Sequence, residues 1–254
     1  MSLRKHIPNS ITLLNLFCGT IAVIFAVQGD LVSAAVFVGA GIFLDFFDGL
    51  AARLLDVKTE LGLQLDSLAD MVTSGVVPGI VMFQLLSSAL ENPGSAGQEW
   101  QEAPGILEWN FPWLALTGLF VSLASGYRLA KFNLDERQTD SFIGLPTPAN
   151  ALLILSLPLI LVFQPQPFAV SLIMNPWFLA GLVVFSCFML NAEIPLFALK
   201  FRTWGLGQNK VRYGFLLYCL LLLVLLQFLA VPVIILSYVL LSVLTTPPAE
   251  RSPA

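Results

Sequence analysis

Charge is what this sequence has least of. Only 11% of its 254 residues are Asp, Glu, Lys or Arg, against roughly 25% in soluble domains, while 57% are hydrophobic and the mean hydropathy is +0.85. So few charges cannot cover a water-facing surface, which excludes an ordinary soluble domain and leaves a polytopic membrane protein. Histidine occurs once, at His6 near the N-terminus, which excludes His-rich metal chemistry; it reads as an interfacial residue. Cysteine is scarce too. Cys18, Cys187 and Cys219 all sit in apolar runs, without paired or C-x-x-C spacing, and read as small buried hydrophobes rather than disulfides or metal ligands. No internal repeat, low-complexity tract or soluble domain is visible. The net charge of -4 identifies no partner, and no nucleic acid is expected.

What is present is a series of long apolar runs. A helix crossing the hydrocarbon core, ~30 Å thick, needs roughly 20 apolar residues. Candidate spans are 11–27, 32–55, 63–88, 111–133, 149–164, 174–192, 213–230 and 232–244. The expected fold is an all-α integral membrane protein of about eight transmembrane helices, forming a single membrane domain over 1–254. The last two spans are either separate helices or one long helix bent at Pro232.

Basic residues orient the chain. Arg4 and Lys5 precede the first span, Arg53 and Lys58 join the second to the third, and Arg128, Lys131 and Arg137 follow the fourth. Lys200, Arg202, Lys210 and Arg212 follow the sixth, and Arg251 is in the tail. Segment 89–110 holds Glu91, Glu99, Glu102 and Glu108 with no Lys or Arg, and 164–173 has no basic residue either. With cytoplasmic termini and eight crossings, all 12 basic residues fall on the cytoplasmic side. Arg4 and Lys5 before an apolar run also suit a cleaved signal peptide. Asn9, Thr12 and Asn15 weaken its apolar region, however, and no A-x-A site follows, so the first span is expected to remain.

Residues 45–70, DFFDGLAARLLDVKTELGLQLDSLAD, break the pattern. At about 100° per residue, Asp45 and Asp48 fall within about 60° of each other, and Asp66 and Asp70 within about 40°. A short connector, 56–62, lets the two pairs converge. Each ionised carboxylate at membrane depth costs about 2.5–3.5 kcal/mol on insertion scales, and neighbouring carboxylates repel one another. A divalent cation supplies the missing charge, and an all-oxygen cage suits Mg²⁺, Mn²⁺ or Ca²⁺ rather than zinc. Solvated interfacial acids are the plainer reading, and they account for Asp56 and Glu60. Gly49 and Gly62 serve either close approach of a ligand to the backbone or helix packing. Arg53, one turn from Asp48, serves either an ion pair or a phosphate. Metal, arginine and glycines together point to a diphosphate.

The spacing D-x2-D-G-x2-A-R-x8-G-x3-D-x3-D, met by Asp45, Asp48, Gly49, Ala52, Arg53, Gly62, Asp66 and Asp70, resembles the signature of the CDP-alcohol phosphotransferase family of integral membrane enzymes. The resemblance implies transfer of a phosphatidyl-type group from a CDP-linked lipid to an alcohol, with release of CMP. It implies two divalent cations, Mg²⁺ or Mn²⁺, held by Asp45, Asp48, Asp66 and Asp70, with Asp70 also the general base. Gly49, Arg53 and Gly62 would contact the CDP moiety, with Thr59 added from its place in the connector. Asn9, Thr12 and Asn15 would bond the nucleotide or metal site, or else pack the first span.

The stretches IPNSITLLNLFCGTIAVIFA (7–26), SGYRLAKFN (125–133), FIGLPTPANA (142–151) and, more loosely, IPLFALKF (194–201) are similar to the serine-using bacterial branch of that family. The resemblance implies CDP-diacylglycerol and L-serine as substrates, a homodimer, and a site on the cytoplasmic face of the cell inner membrane. Arg128 and Lys131 are candidates for the acceptor carboxylate, or else topogenic charges, and Asn133 and Asn150 have similar status. Glycerol 3-phosphate or an inositol phosphate is the alternative acceptor and would need a more cationic pocket. A divalent-cation transporter is the reading outside enzymes, and it would favour mid-membrane carboxylates and repeated halves.

Overall fold

Helix α1 (His6–Val27) buries Pro8, Thr12, Asn15, Gly19, Ala22 and Ala26. Their alternating three- and four-residue spacing forms one stripe, polar at the start and small-residued at the end. That stripe lies most extensively against α2 (Leu31–Leu54). The turn between them passes through Gly29 and ends on Asp30, whose carboxylate accepts a 3.0 Å hydrogen bond from Ser33 N and caps α2. Bonds from Ser33 hold the Asp30 carboxyl below the usual carboxylate range. In this computed structural model the described residues are 6–57, 59–91, 113–134, 142–196 and 210–245. The expected loop at 92–110 and the basic residues Arg4, Lys5, Lys58, Arg137, Lys200, Arg202 and Arg251 lie outside them.

After α2 the chain turns through Asp56, in the left-handed region at φ 52°, to Thr59. The Thr59 hydroxyl accepts a 3.0 Å bond from Gly62 N and caps α3 (Glu60–Asp70). A π-helical turn, Met71–Val76, joins α3 to α4 (Val77–Glu91). Then come α5 (Trp113–Leu116), a 3₁₀ turn and α6 (Phe120–Leu134). The remaining helices are α7 (Thr147–Phe163), α8 (Pro167–Ile173), α9 (Pro176–Asn191), α10 (Lys210–Leu226) and α11 (Ala230–Thr245). Strands β1 (Phe142–Ile143) and β2 (Pro195–Leu196) form an antiparallel clasp, pairing Phe142 with Leu196 and Ile143 with Pro195.

Five helical stretches are long and apolar enough to cross a membrane: His6–Val27, Leu31–Leu54, Glu60–Leu90, Trp113–Leu134 and Tyr213–Leu244. A sixth arises if α8 and α9 count as one span, and Thr147–Phe163 is a shorter apolar helix. The protein is therefore a multi-pass, all-α membrane protein. Its main core is built from α1, α2, α4, α7 and α9 around Val38, Val81, Met82, Leu86, Ile154 and Leu179.

Two local expectations change. Segment 164–173, read as a loop, contains α8, which meets α9 at 68°; Pro167 and Pro176 each begin a helix, where a missing N–H costs nothing. The break in 213–244 falls at Gln227–Leu229 rather than at Pro232. Tyr218 Oη lies 3.0 Å from Ser237 Oγ, and the Phe215 and Tyr238 rings are 6.0 Å apart. A continuous helix would hold the first pair about 28 Å apart, so α10 and α11 are antiparallel arms of a hairpin. Gln227, at φ 47°, makes the turn, and Gln164 Oε1 accepts the Leu229 N–H at 3.2 Å.

Candidate metal and substrate site

Asp45 and Asp48 project from the last turns of α2, and Asp66 and Asp70 from the second half of α3. One carboxylate oxygen from each of Asp45, Asp48 and Asp66 lies within 4.8 Å of the others. Asp48 is buried, and Asp45 and Asp66 are half-buried. Asp70 is outside that tightest trio but close enough to Asp45, Asp48 and Asp66 to interact with their charges. Among the described residues no Lys or Arg forms an ion pair with any of the four. Convergent, uncompensated, all-oxygen donors fit a hard divalent cation.

The polar start of α1 supports this cluster. Thr12 Oγ1 donates a 2.6 Å hydrogen bond to Asp48 Oδ2. Asn15 is fully buried beside Asp70, close enough for its side chain to act on the Asp70 carboxylate as a hydrogen-bonding group, although no tighter partner for either amide atom is present among the described residues. Room for Asn15 comes from Gly41, where an added Cβ would lie 2.7 Å from Asn15 Oδ1.

The two signature glycines differ. Among the described residues, a Cβ on Gly49 would meet nothing within 4 Å, so helix packing among them does not explain this residue. A Cβ on Gly62 would lie 3.0 Å from Thr59 Oγ1 and 3.2 Å from Asn9 Oδ1, so Gly62 serves the contact between α3 and the start of α1. Arg53 is exposed, and its Nε donates to Gly49 O at 3.0 Å. It is thus held against the open turn rather than paired with Asp48.

From the other side comes α6. Arg128 is only 8% exposed, its charge interacts with that of Asp70, and its Nε has no hydrogen-bond partner among the described residues. Its guanidinium lies 6.0 Å from the Phe132 ring centroid. Lys131 Nζ, three residues on, is paired with Glu193 Oε1 at 2.8 Å. Asn133 exchanges hydrogen bonds with Ser67, tying α6 to α3. Asn150 is fully buried in α7, and neither amide atom has a hydrogen-bond partner among the described residues.

A family model described as CDP-alcohol phosphatidyltransferase matches residues 5–188, well over half of the chain. The chain belongs to the CDP-alcohol phosphatidyltransferase family. The matched region contains every aspartate of the cluster, together with Thr12, Arg53, Arg128 and Lys131. Similar proteins include the CDP-diacylglycerol–serine O-phosphatidyltransferase of Bacillus subtilis, 35% identical over 144 residues, which span 57% of this chain and 70% of the relative. The Helicobacter pylori protein of the same name is 33% identical over 149 residues, 58% of this chain and 54% of the relative. That of Mycobacterium tuberculosis is 27% identical over 239 residues, 91% and 75% of the two chains.

Sequence reasoning missed two parts of this family member's site region. The π-helical turn directly after Asp70 re-aims α4 relative to the aspartate face, and nothing in MVTSGV announces a turn one residue wider. Glu193 was missed as well, although a lone carboxylate directly after an apolar run is a readable signal.

Proposed function

We propose that this protein is a CDP-diacylglycerol–serine O-phosphatidyltransferase, joining the phosphatidyl group of CDP-diacylglycerol to L-serine with release of CMP. The observation carrying this reading is the convergence of Asp45, Asp48 and Asp66 from two helices within 4.8 Å, with Asp70 and Arg128 beside them. The choice of serine rests on the names of the similar proteins. It also rests on the charge of a small recess at the end of α6, whose only basic lining residues among those described are Arg128 and Lys131. A phosphorylated alcohol would need more.

Asp45, Asp48, Asp66 and Asp70 would hold two divalent cations, Mg²⁺ or Mn²⁺, which would supply positive charge against the diphosphate. Gly49, with open space above it, admits the diphosphate to the backbone, and Arg53 stands beside that turn to bind it. Thr12 orients Asp48, and Asn15 bonds the nucleotide or the Asp70 carboxylate beside it. Asn9, Thr59 and Gly62 shape the near wall. The serine hydroxyl oxygen bonds to the phosphorus that carries diacylglycerol, while its proton passes to Asp70. The bond from that phosphorus to the bridging oxygen breaks, and CMP leaves with the electron pair. The acyl chains stay in hydrocarbon, so the site lies at a membrane edge, and the distribution of basic residues supports the cytoplasmic edge of the inner membrane. The protein acts as a homodimer.

The test is direct. Purified protein is given CDP-diacylglycerol with L-serine, glycerol 3-phosphate or an inositol phosphate, and the lipid formed is identified by mass. Phosphatidylserine alone is expected. Turnover of glycerol 3-phosphate in place of serine would remove the acceptor assignment and leave the metal chemistry standing.

A further inference from the structure

Residues 141–192 contain no Asp, Glu, Lys or Arg. They include the clasp strand β1 and helices α7, α8 and α9. Both longer helices are short for a membrane. The 17 residues of α7 rise about 25 Å and the 16 of α9 about 24 Å, against a hydrocarbon core ~30 Å thick. Their clasp ends lie together, since Leu145 N donates to Met189 O at 2.8 Å and Gly144 N to Ile194 O at 2.9 Å. Asn191 Nδ2 donates to Ala124 O at 3.3 Å, on the helix whose Arg128 interacts with Asp70. The clasp is therefore at the carboxylate end of the bundle, and α8 joins α7 to α9 at the other end.

Two helices that rise less than the core is thick leave the segment joining them within the membrane boundary instead of out in water. The joint has a shape that suits this. Helix α8 meets α9 at 68°, so with α9 tilted by the usual ~20° from the bilayer normal, α8 runs closer to the membrane plane than to the normal. It buries Ala169 and Ile173 against the main core. Its outer side carries Phe168, Ser171 and Leu172, and Phe168 is 77% exposed. On either side, Phe163 ends α7 at 56% exposed and Trp177 stands in the first turn of α9 at 77%. Between these rings lie only uncharged amides, Gln164, Gln166 and Asn175. Asn175 Oδ1 accepts the Trp177 N–H at 2.9 Å and fixes the corner. Exposed aromatic rings among uncharged polar groups match the layer where headgroups meet acyl chains, in which large aromatic side chains are enriched.

We propose that α8 lies in the membrane plane at the boundary between headgroups and acyl chains, in the leaflet opposite the carboxylate site. Phe168 and Leu172 are embedded among the lipids of that leaflet, with Trp177 at the same level. The lipid partner is zwitterionic or neutral, because 141–192 offers no Lys or Arg to attract an anionic headgroup. This placement holds whichever alcohol the carboxylate site uses. It makes α8 an in-plane lipid contact, distinct from a loop in water, from a re-entrant helix that reaches the midplane, and from a contact with a second copy of the chain.

The experiment attaches a nitroxide label at Phe168→Cys or Leu172→Cys, with Cys18, Cys187 and Cys219 replaced by Ala, in phosphatidylcholine vesicles. Accessibility to oxygen, which concentrates in hydrocarbon, and to a water-soluble nickel chelate gives the depth of each label. Both labels should lie about 5–10 Å inside the boundary and at the same depth, whereas a helix along the normal would separate them by about 6 Å. Labels near the midplane, labels open to the nickel chelate, or labels shielded from both reagents would each overturn the proposal. Replacing part of the phosphatidylcholine with phosphatidylglycerol should leave the depth unchanged, and a boundary position reached only with the anionic lipid would also overturn it. A second measurement keeps the native cysteines. The fluorescence lost in Trp177→Phe should be quenched more by phosphatidylcholine brominated near the glycerol than by phosphatidylcholine brominated near the chain ends. The reverse order, or no quenching by either lipid, overturns the proposal as well.

Discussion

Thr12 and Asp48, 36 positions apart in sequence, are joined by a 2.6 Å hydrogen bond that ties the first helix to the carboxylate cluster. The donor is buried and also lies 3.1 Å from Pro8 O, so the hydroxyl is confined between the helix backbone and the carboxylate. Groups that orient metal ligands typically change metal affinity about 10–100-fold when removed. Thr12→Val, which keeps the shape and removes the hydroxyl, should weaken Mn²⁺ binding by that factor in a calorimetric titration. An unchanged affinity would show that Asp48 needs no such support.

The four aspartates separate by role. Asp45→Asn, Asp48→Asn and Asp66→Asn should each abolish metal-dependent turnover, because a neutral amide cannot balance a cation. Asp70→Asn should abolish turnover as well, while CDP-diacylglycerol still binds, since the closest trio remains intact. Near-normal turnover in Asp70→Asn would remove Asp70 as the base that takes the serine proton.

Gly49 and Gly62 should answer differently to the same substitution. Among the described residues nothing lies within 4 Å of a Cβ at Gly49, so Gly49→Ala should leave Tm unchanged or higher, alanine being about 1 kcal/mol better in a helix. Its effect should fall on the KM for CDP-diacylglycerol. Gly62→Ala crowds Thr59 Oγ1 and Asn9 Oδ1 and should lower Tm. A normal KM in Gly49→Ala would mean the diphosphate does not approach that turn.

Arg128 is the buried cation that faces both Asp70 and the recess. Arg128→Ala should raise the KM for serine far more than that for CDP-diacylglycerol, with a loss in kcat/KM on the order of ten- to a hundredfold. Equal effects on both substrates would assign Arg128 to the phosphate or to the scaffold.

Orientation in the membrane is tested from outside. The basic residues predict cytoplasmic termini and an extracytoplasmic 89–110 segment. A cysteine introduced by Gly97→Cys should react with an impermeant thiol reagent added to the periplasmic side of sealed vesicles. Reaction only from the cytoplasmic side would reverse the topology.

The carboxylate site was legible in the sequence because its parts are local. Asp45 and Asp48 share one helix face, Asp66 and Asp70 share another, and a connector of a few residues brings the faces together, so helical periodicity and the cost of charge in lipid suffice to locate it. Thr12 and Asn15 stood out as polar residues in an apolar run, with site bonding and span-one packing both open, and the Thr12–Asp48 bond is what the fold adds. The membrane character of the chain followed from composition alone. What only the tertiary structure decided is what depends on contacts between distant segments. Gly49 and Gly62 carry the same local signal, yet one faces open space and the other the start of α1, a difference made by α1 and not by their neighbours in sequence. The hairpin of α10 and α11 turns at Gln227 rather than at Pro232, because Gln164 of α7 satisfies the Leu229 N–H at the turn. The pairing of Lys131, a candidate acceptor cation or topogenic charge in the sequence, with Glu193, 62 residues away, is likewise made only by the fold. Hydropathy and periodicity report on how each segment meets lipid or water. Which polar groups meet each other depends on packing, and packing is a property of the folded chain.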